Sequence, residues 1–234
     1  MKFYVGTSGW FYSWNEKRTL DWYVANSGLN AVELNASFYR FPFPNMVKSW
    51  AQKGKDLRWS VKVNRLITHT FKFTDRAYEL WQKFCRLFLP LEPVIDFYLF
   101  QLPPSMTTNS VPKIETFLEK TKLTEKFALE VRNQDWFSQK WKNWALKLGI
   151  TLVSVDSPDF PLDIFNTNGV IYERMHGRTE WYAHHYSDEE LKEVATKILT
   201  AKPKRAYVFF NNDEAMLENS RNMMTILKEA KGQP

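Results

Sequence analysis

FALEVRNQDWFSQKWKNWALKLGITLVSVD, residues 127–156, reads as a strand, a helix and a second strand. Phe127–Val131 and Thr151–Val155 are short apolar runs with β-branched members, too brief for helices and suited to a buried strand. Between them, Gln139–Leu148 carries apolar residues at helical spacing. Ser138 stands at its N-cap and Gly149 just past its end, where a residue without Cβ takes the left-handed turn without strain. A strand joined to the next through a helix runs parallel to it, so the stretch predicts a βαβ unit. Both strands end in polar groups: Glu130 and Arg132 at the first, Asp156 at the second.

The same alternation extends in both directions. Further strands are predicted at Phe3–Thr7, Ala31–Leu34, Trp59–Val63, Tyr98–Gln101, Val170–Arg174 and Arg205–Phe210, which brings the total to eight. The intervening helices carry punctuation of their own. Ser187-Asp188-Glu189-Glu190 is a capping-box sequence, Thr74 precedes a helical stretch through Leu87, and Gly28 and Gly54 close two others. Pro44 and Pro112 sit near helix starts, where a missing N–H costs little. The final helix is predicted over roughly Asp213–Ala230. Ser157–Gly169, with two prolines, is the one crossover that lacks clear helical signals. Eight strands alternating with helices in 234 residues predict a single-domain α/β fold, a TIM-type (β/α)8 barrel.

Composition bounds the function classes. Apolar residues make up 44% and aromatics 16%, which excludes a disordered chain. No run approaches the roughly 20 apolar residues of a membrane span, and the strand-like start Lys2-Phe3-Tyr4-Val5-Gly6 lacks the features of a secretory leader, so a soluble, cytoplasmic protein is expected. The single cysteine, Cys85, is expected to be a buried free thiol. A net charge of +6 favours an anionic partner, a small anionic ligand or nucleic acid, but the charge is scattered, so any anion site has to be assembled by folding.

In barrels of this kind the chemistry sits at the carboxyl ends of the strands. Here those ends collect Glu33 and Asn35, Lys62 and Asn64, Gln101, Glu130 and Arg132, Asp156, Arg174 and His176, and Asn211 and Asn212. Four of these sets are spaced i, i+2, so each pair projects to one side of its strand. A structural network is one reading, with Glu33 against Lys62 and Glu130 against Arg132 or Arg174. A ligand pocket is the other, favoured because so many strand ends carry hydrogen-bonding groups that an apolar barrel would not select.

Several blocks resemble the YecE-like family, known as domain of unknown function 72. They are Val5-Gly6-Thr7-Ser8-Gly9-Trp10, Val32-Glu33-Leu34-Asn35-Ala36-Ser37-Phe38-Tyr39, Val61-Lys62-Val63-Asn64-Arg65-Leu66-Ile67-Thr68-His69, Phe100-Gln101-Leu102-Pro103-Pro104, Glu130-Val131-Arg132, Arg174-Met175-His176-Gly177 and Phe210-Asn211-Asn212-Asp213. The resemblance implies a TIM-type barrel and no settled reaction. It implies likeness to apurinic-endonuclease and xylose-isomerase barrels in fold only. Asn64 departs from it, since many relatives carry alanine there.

The chemistry expected of the rim is phosphate-directed hydrolysis or action on nucleic acid. Lys62, Arg132 and Arg174 are the cations for phosphate oxygens, with Ser8, Asn64 and Asn211 as further polar contacts and Tyr39 as a stacking ring. Glu130 or Asp156 is the expected activator of water, and His69 or His176 the proton donor to the leaving oxygen. No cofactor is expected. A divalent metal on Glu33, His69, Glu130, Asp156 and His176 is a subsidiary alternative, as is glycoside hydrolysis by Glu33 and Glu130. Binding of an anion without turnover is the non-catalytic alternative, because no nucleophile elbow, Walker loop or dinucleotide fingerprint occurs.

Overall fold

The computed structural model describes residues 1–232. Its strands are β1 (Lys2–Thr7), β2 (Ala31–Leu34), β3 (Arg58–Lys62), β4 (Ile95–Gln101), β5 (Phe127–Glu130), β6 (Thr151–Leu152), β7 (Ser154–Asp156), β8 (Asn166–Thr167), β9 (Val170–Met175) and β10 (Arg205–Phe210). Hydrogen bonding runs in the order β6-β5-β4-β3-β2-β1-β10-β9-β7, parallel throughout, with β8 added antiparallel to β9. The predicted strand Thr151–Val155 is broken at Val153. Its first half, β6, pairs with β5 and its second, β7, pairs with β9. Val153 itself still donates its N–H to the Leu129 carbonyl at 2.9 Å. Nine parallel strands thus fill eight positions, and the sheet returns on itself as an α/β TIM-type barrel.

The helices wrap the outside: α1 (Leu20–Asn26), α2 (Ala36–Tyr39), α3 (Pro44–Lys53), α4 (Asp75–Phe88), α5 (Val111–Thr121), α6 (Gln139–Leu148), α7 (Asp188–Thr200) and α8 (Met216–Gly232). Ser187 caps α7 in a complete capping box with Glu190, whereas Ser138 and Thr74 precede their helices without a side-chain cap bond. Gly149 ends α6 at φ 70°. The crossover from β7 to β9 is a loop that forms β8, which leaves that barrel position without a helix of its own. None of the described helices is long and apolar enough to cross a membrane. Cys85 is half-buried, and burial raises its thiol pKa, so it stays a neutral thiol.

Alternation of side chains along each strand divides the interior in two. The outer face (Val32, Leu34, Val61, Phe100, Leu129 and their equivalents) packs beneath the helices in a large aromatic-rich core. The inner face fills the lumen with Ala31, Phe97, Leu99, Ala128, Val153, Val155, Tyr172, Tyr207 and Phe209. Phe97 sits edge-on to both Tyr172 and Tyr207, with ring centroids 5.0 and 4.7 Å apart. The lower lumen is therefore filled with side chains.

Gly6 sets the spacing of β1 against β2. A Cβ on Gly6 would lie 2.3 Å from the Ala31 carbonyl oxygen, a backbone atom in a paired strand. Gly6→Ala is expected to cost about 1–3 kcal/mol through forced displacement of the strands, read as a lower denaturant midpoint with an unchanged slope.

Candidate functional site at the barrel mouth

The uppermost inward-facing positions carry Glu33 on β2, Lys62 on β3, Glu130 on β5 and Arg174 on β9. Arg174, fully buried, lies between the two carboxylates. Its Nη2 and Nε meet Glu33 Oε1 and Oε2 at 2.5 and 3.0 Å, and its Nη1 meets Glu130 Oε2 at 2.5 Å. Glu33 also accepts from Ser8 Oγ at 2.7 Å and from Tyr172 Oη at 2.5 Å. The Tyr172 hydroxyl lies 2.7 Å from Ser60 Oγ. Glu130 is bonded to Arg132 Nε on its other side. The guanidiniums of Arg132 and Arg174 hold the Glu130 carboxyl well below the usual carboxylate range against the opposing effect of burial.

This arrangement revises several expected roles. Glu33 pairs with Arg174 rather than Lys62. All three guanidinium nitrogens of Arg174 are bound to carboxylates, so it is not free to grip phosphate. Glu130, locked between two arginines, is a poor activator of water. The guanidinium of Arg174 also fills the space between Glu33 and Glu130 that a glycosidic bond would need.

His176 is fully buried above this layer. Its Nε2 lies 3.1 Å from Arg132 Nη2 and 3.7 Å from Glu130 Oε1. Its Nδ1 lies 3.2 Å from the Asn211 carboxamide. Burial, with Arg174 and Arg132 nearby, pushes the His176 pKa well below its ordinary value, which removes it as a proton donor at neutral pH.

Asp156 is the clearest displacement from expectation. Val153 and Val155 face the lumen, so by alternation Asp156 faces outward toward α7. There it accepts from Tyr186 Oη at 2.9 Å and Arg178 Nε at 3.1 Å. Buried Glu173 is on the same outer face, with one carboxyl oxygen unpartnered among the described residues; burial and the Asp156 carboxylate raise its pKa well above the ordinary value. An acid whose folded pKa is raised loses stability as pH climbs above its unfolded value near 4.3. Glu173→Gln, which mimics the protonated acid, is therefore expected to gain about 1 kcal/mol at pH 7 and nothing below about pH 4, measured by denaturant titration at both pH values.

The remaining predicted residues divide between the rim and the loops. Asn64 is folded into its own loop, donating to Ser37 O at 2.9 Å and accepting from Leu66 N at 3.1 Å, so it is structural rather than a ligand group. Tyr39 is 72% exposed and stands edge-on to Phe38. His69, in a π-helical turn at Leu66–Thr70, has Nδ1 2.8 Å from Thr68 Oγ1; burial, with Lys62 next in importance, lowers its pKa to about 4. Among the described residues, no group of three or more His, Cys, Asp and Glu is arranged to hold a metal ion.

Lys62 stands apart from the other mouth cations. It is 9% exposed, and its Nζ sits 4.4 Å from the centre of the Phe38 ring. Unlike Arg132 and Arg174, it forms no ion pair with a carboxylate among the described residues. Burial first and the Arg174 charge second lower its pKa to about 7, only partly offset by Glu130 and Glu33. Three cations therefore face two carboxylates, and the uncompensated charge falls on Lys62. Phe38 on α2, Ser60 within β3 and Tyr172 within β9 also belong to the site, although none of them ends a strand.

Two clefts flank the mouth. One, of about 510 Å³, is lined by Ser8, Trp10, Tyr12, Asn35 and Tyr39 among others, and its Ser8 reaches Glu33 in the lumen. The other, of about 680 Å³, is lined by Arg132, Asn133, Gln134, Trp181 and Tyr182 among others, with the Arg132 guanidinium 4.5 Å from the Trp181 ring centre.

Comparison with known proteins places this architecture. UPF0759 protein YecE of Escherichia coli (strain K12) is 28% identical over 124 residues, which cover 52% of this chain and 44% of YecE, so the match takes in less than half of that relative. A DUF72 family protein from Thermotoga maritima MSB8 is 27% identical with a TM-score of 0.79, covering 99% of this chain and 100% of that one. D-psicose 3-epimerase from Clostridium cellulolyticum H10 superposes with a TM-score of 0.55 at 12% identity, covering 99% of this chain and 98% of that one, a likeness of fold alone. The model for "Protein of unknown function DUF72" matches residues 4–234, and the chain belongs to that family.

Proposed function

We propose that the barrel mouth is a pocket for a small anionic molecule, met by Lys62 and by the outward nitrogen of Arg132. The observation that carries this reading is the unpaired, nearly buried Lys62 in a layer with one more cation than carboxylates. An ammonium in that position is costly while alone and is relieved by an arriving anion. Arg132 uses Nε for Glu130 and Nη2 for His176, while its Nη1 has no acceptor among the described residues. The flanking aromatics, Trp181 and Tyr39, offer faces for the body of the ligand.

Phosphoester hydrolysis is the more specific reading of the same pocket, and it needs a group to activate water. Glu130 is neutralised by two guanidiniums and Asp156 faces the outer core, so anion binding is the better-supported function. The test is thermal unfolding in increasing inorganic phosphate or sulfate. A saturable rise in Tm is expected, larger at pH 6.5 than at pH 8.5, because bound anion and a protonated Lys62 stabilise one another. The reading fails if Tm responds to neither anion at either pH.

A further inference from the structure

A cation that protein groups leave unpaired is, in its neutral form, a nucleophile. Lys62 is the last inward residue of β3, above a lumen filled with side chains, and its amine lies over the Phe38 ring with 9% of the residue exposed. The groups around it are Glu33 on β2, Glu130 at the end of β5 with Arg132 just past it, Arg174 on β9, and His69 in the turn after β3. Both carboxylates are already committed to arginines, so neither fixes the amine as an ion pair. Phe38 presents its face to Nζ at 4.4 Å, and the same ring meets the imidazole of His69 edge-on at 5.1 Å.

We propose that Lys62 is an imine-forming lysine, whose amine condenses with the aldehyde or ketone carbon of a small anionic carbonyl compound held at the barrel mouth. This rests on the reading of the mouth as an anion pocket. The anionic group stays on Arg132 Nη1 and the carbonyl carbon meets Nζ. The nitrogen lone pair forms the C–N bond while the carbonyl π pair moves to oxygen, and a proton shifts from nitrogen to that oxygen to give a carbinolamine. The C–O bond then breaks, the nitrogen lone pair forms C=N, and the hydroxyl leaves as water with one proton taken from solvent. The product is an iminium cation. Its positive charge lies over the Phe38 ring, and the anionic group of the bound compound supplies the compensating charge that Glu33 and Glu130, already paired to arginines, do not give the free amine. With a pKa near 7, about half of Lys62 is neutral at neutral pH, against less than about one part in a thousand of an ordinary lysine.

The experiment uses the wild-type protein, with pyruvate as an anionic ketone, acetone as its uncharged counterpart, and sodium cyanoborohydride to reduce any iminium to a stable amine. Peptide mapping by mass spectrometry compares Lys62 with every other lysine in the same molecule, and Nα-acetyllysine in the same tube corrects for the intrinsic reactivity of each ketone. At pH 7, Lys62 is expected to be labelled by pyruvate about 10-fold or more faster than any other lysine, to be favoured less by acetone, and to be unlabelled in folded Lys62→Arg at position 62. Labelling spread over the lysines with no preference for Lys62 by either ketone overturns the imine. If Lys62 is preferred equally by acetone and pyruvate, the amine is reactive but the anionic substrate class is wrong. If phosphate raises Tm while Lys62 stays unlabelled, the pocket stands and the imine falls.

Discussion

Arg174→Met is expected to lower the unfolding free energy by about 3–5 kcal/mol and Tm by about 6–20 °C. Arg174 is fully buried and bonded to Glu33 through two nitrogens and to Glu130 through the third, so its removal leaves two carboxylates in the lumen facing each other. A broken buried pair costs far more than the intact pair contributes, because the stranded charge keeps its desolvation penalty. Adding Glu33→Gln and Glu130→Gln to Arg174→Met is expected to recover a large part of the loss, and that non-additivity is the signature of a shared network. The pH dependence follows from Glu130. With a folded pKa below the ordinary value, its stabilising contribution is complete above the unfolded pKa near 4.3 and disappears as pH falls toward the folded value. Arg174→Met should therefore show a shallower loss of stability on acidification, measured as Tm between pH 7 and pH 3.

Lys62→Met is expected to act in the opposite direction. The folded pKa of about 7 lies below the unfolded value near 10.4, so between those values the unfolded chain holds a proton that the folded chain has released. Stability of the wild type rises with pH through that window, and the full penalty applies below pH 7. Replacing the amine by an apolar side chain of similar length should stabilise the protein by about 1–3 kcal/mol at pH 6.5, with the gain fading toward pH 10. The same variant should lose the stabilisation by phosphate. A residue that weakens the fold and is needed for a ligand is the usual trade at a binding site.

Much of the fold can be read from the chain because its signals are local. Strand runs, the capping box at Ser187 and the glycine after Leu148 each act over a few residues, and the alternation of strand and helix leaves few topologies. The break at Val153 was not legible, since it arises where one strand changes partners, and partners are set by contacts distant in sequence. The rim was legible in place more than in role. Alternation brings Glu33, Lys62, Glu130 and Arg174 to one inward layer, and the same period of two extended one step down each strand identifies Ser60 below Lys62 and Tyr172 below Arg174. Asp156 was misassigned because its position at a strand end was weighed without its parity, which Val153 and Val155 determine. That Arg174 reaches Glu33 across 141 residues, leaving Lys62 unpaired, is a property of the closed barrel with no local signal. Phe38 was hidden for the same reason: its contact with Lys62 depends on how α2 sits over β3.

The titration of the uncompensated Lys62 amine can be observed directly. In protein labelled with 13C-lysine, the Cε signal that is missing from Lys62→Met is followed from pH 5 to pH 11, with and without inorganic phosphate. The predicted result is a midpoint near 7 that moves upward when phosphate is present, because the anion supplies the charge that the barrel withholds. A midpoint close to the ordinary lysine value of about 10.4, unmoved by phosphate, would contradict it.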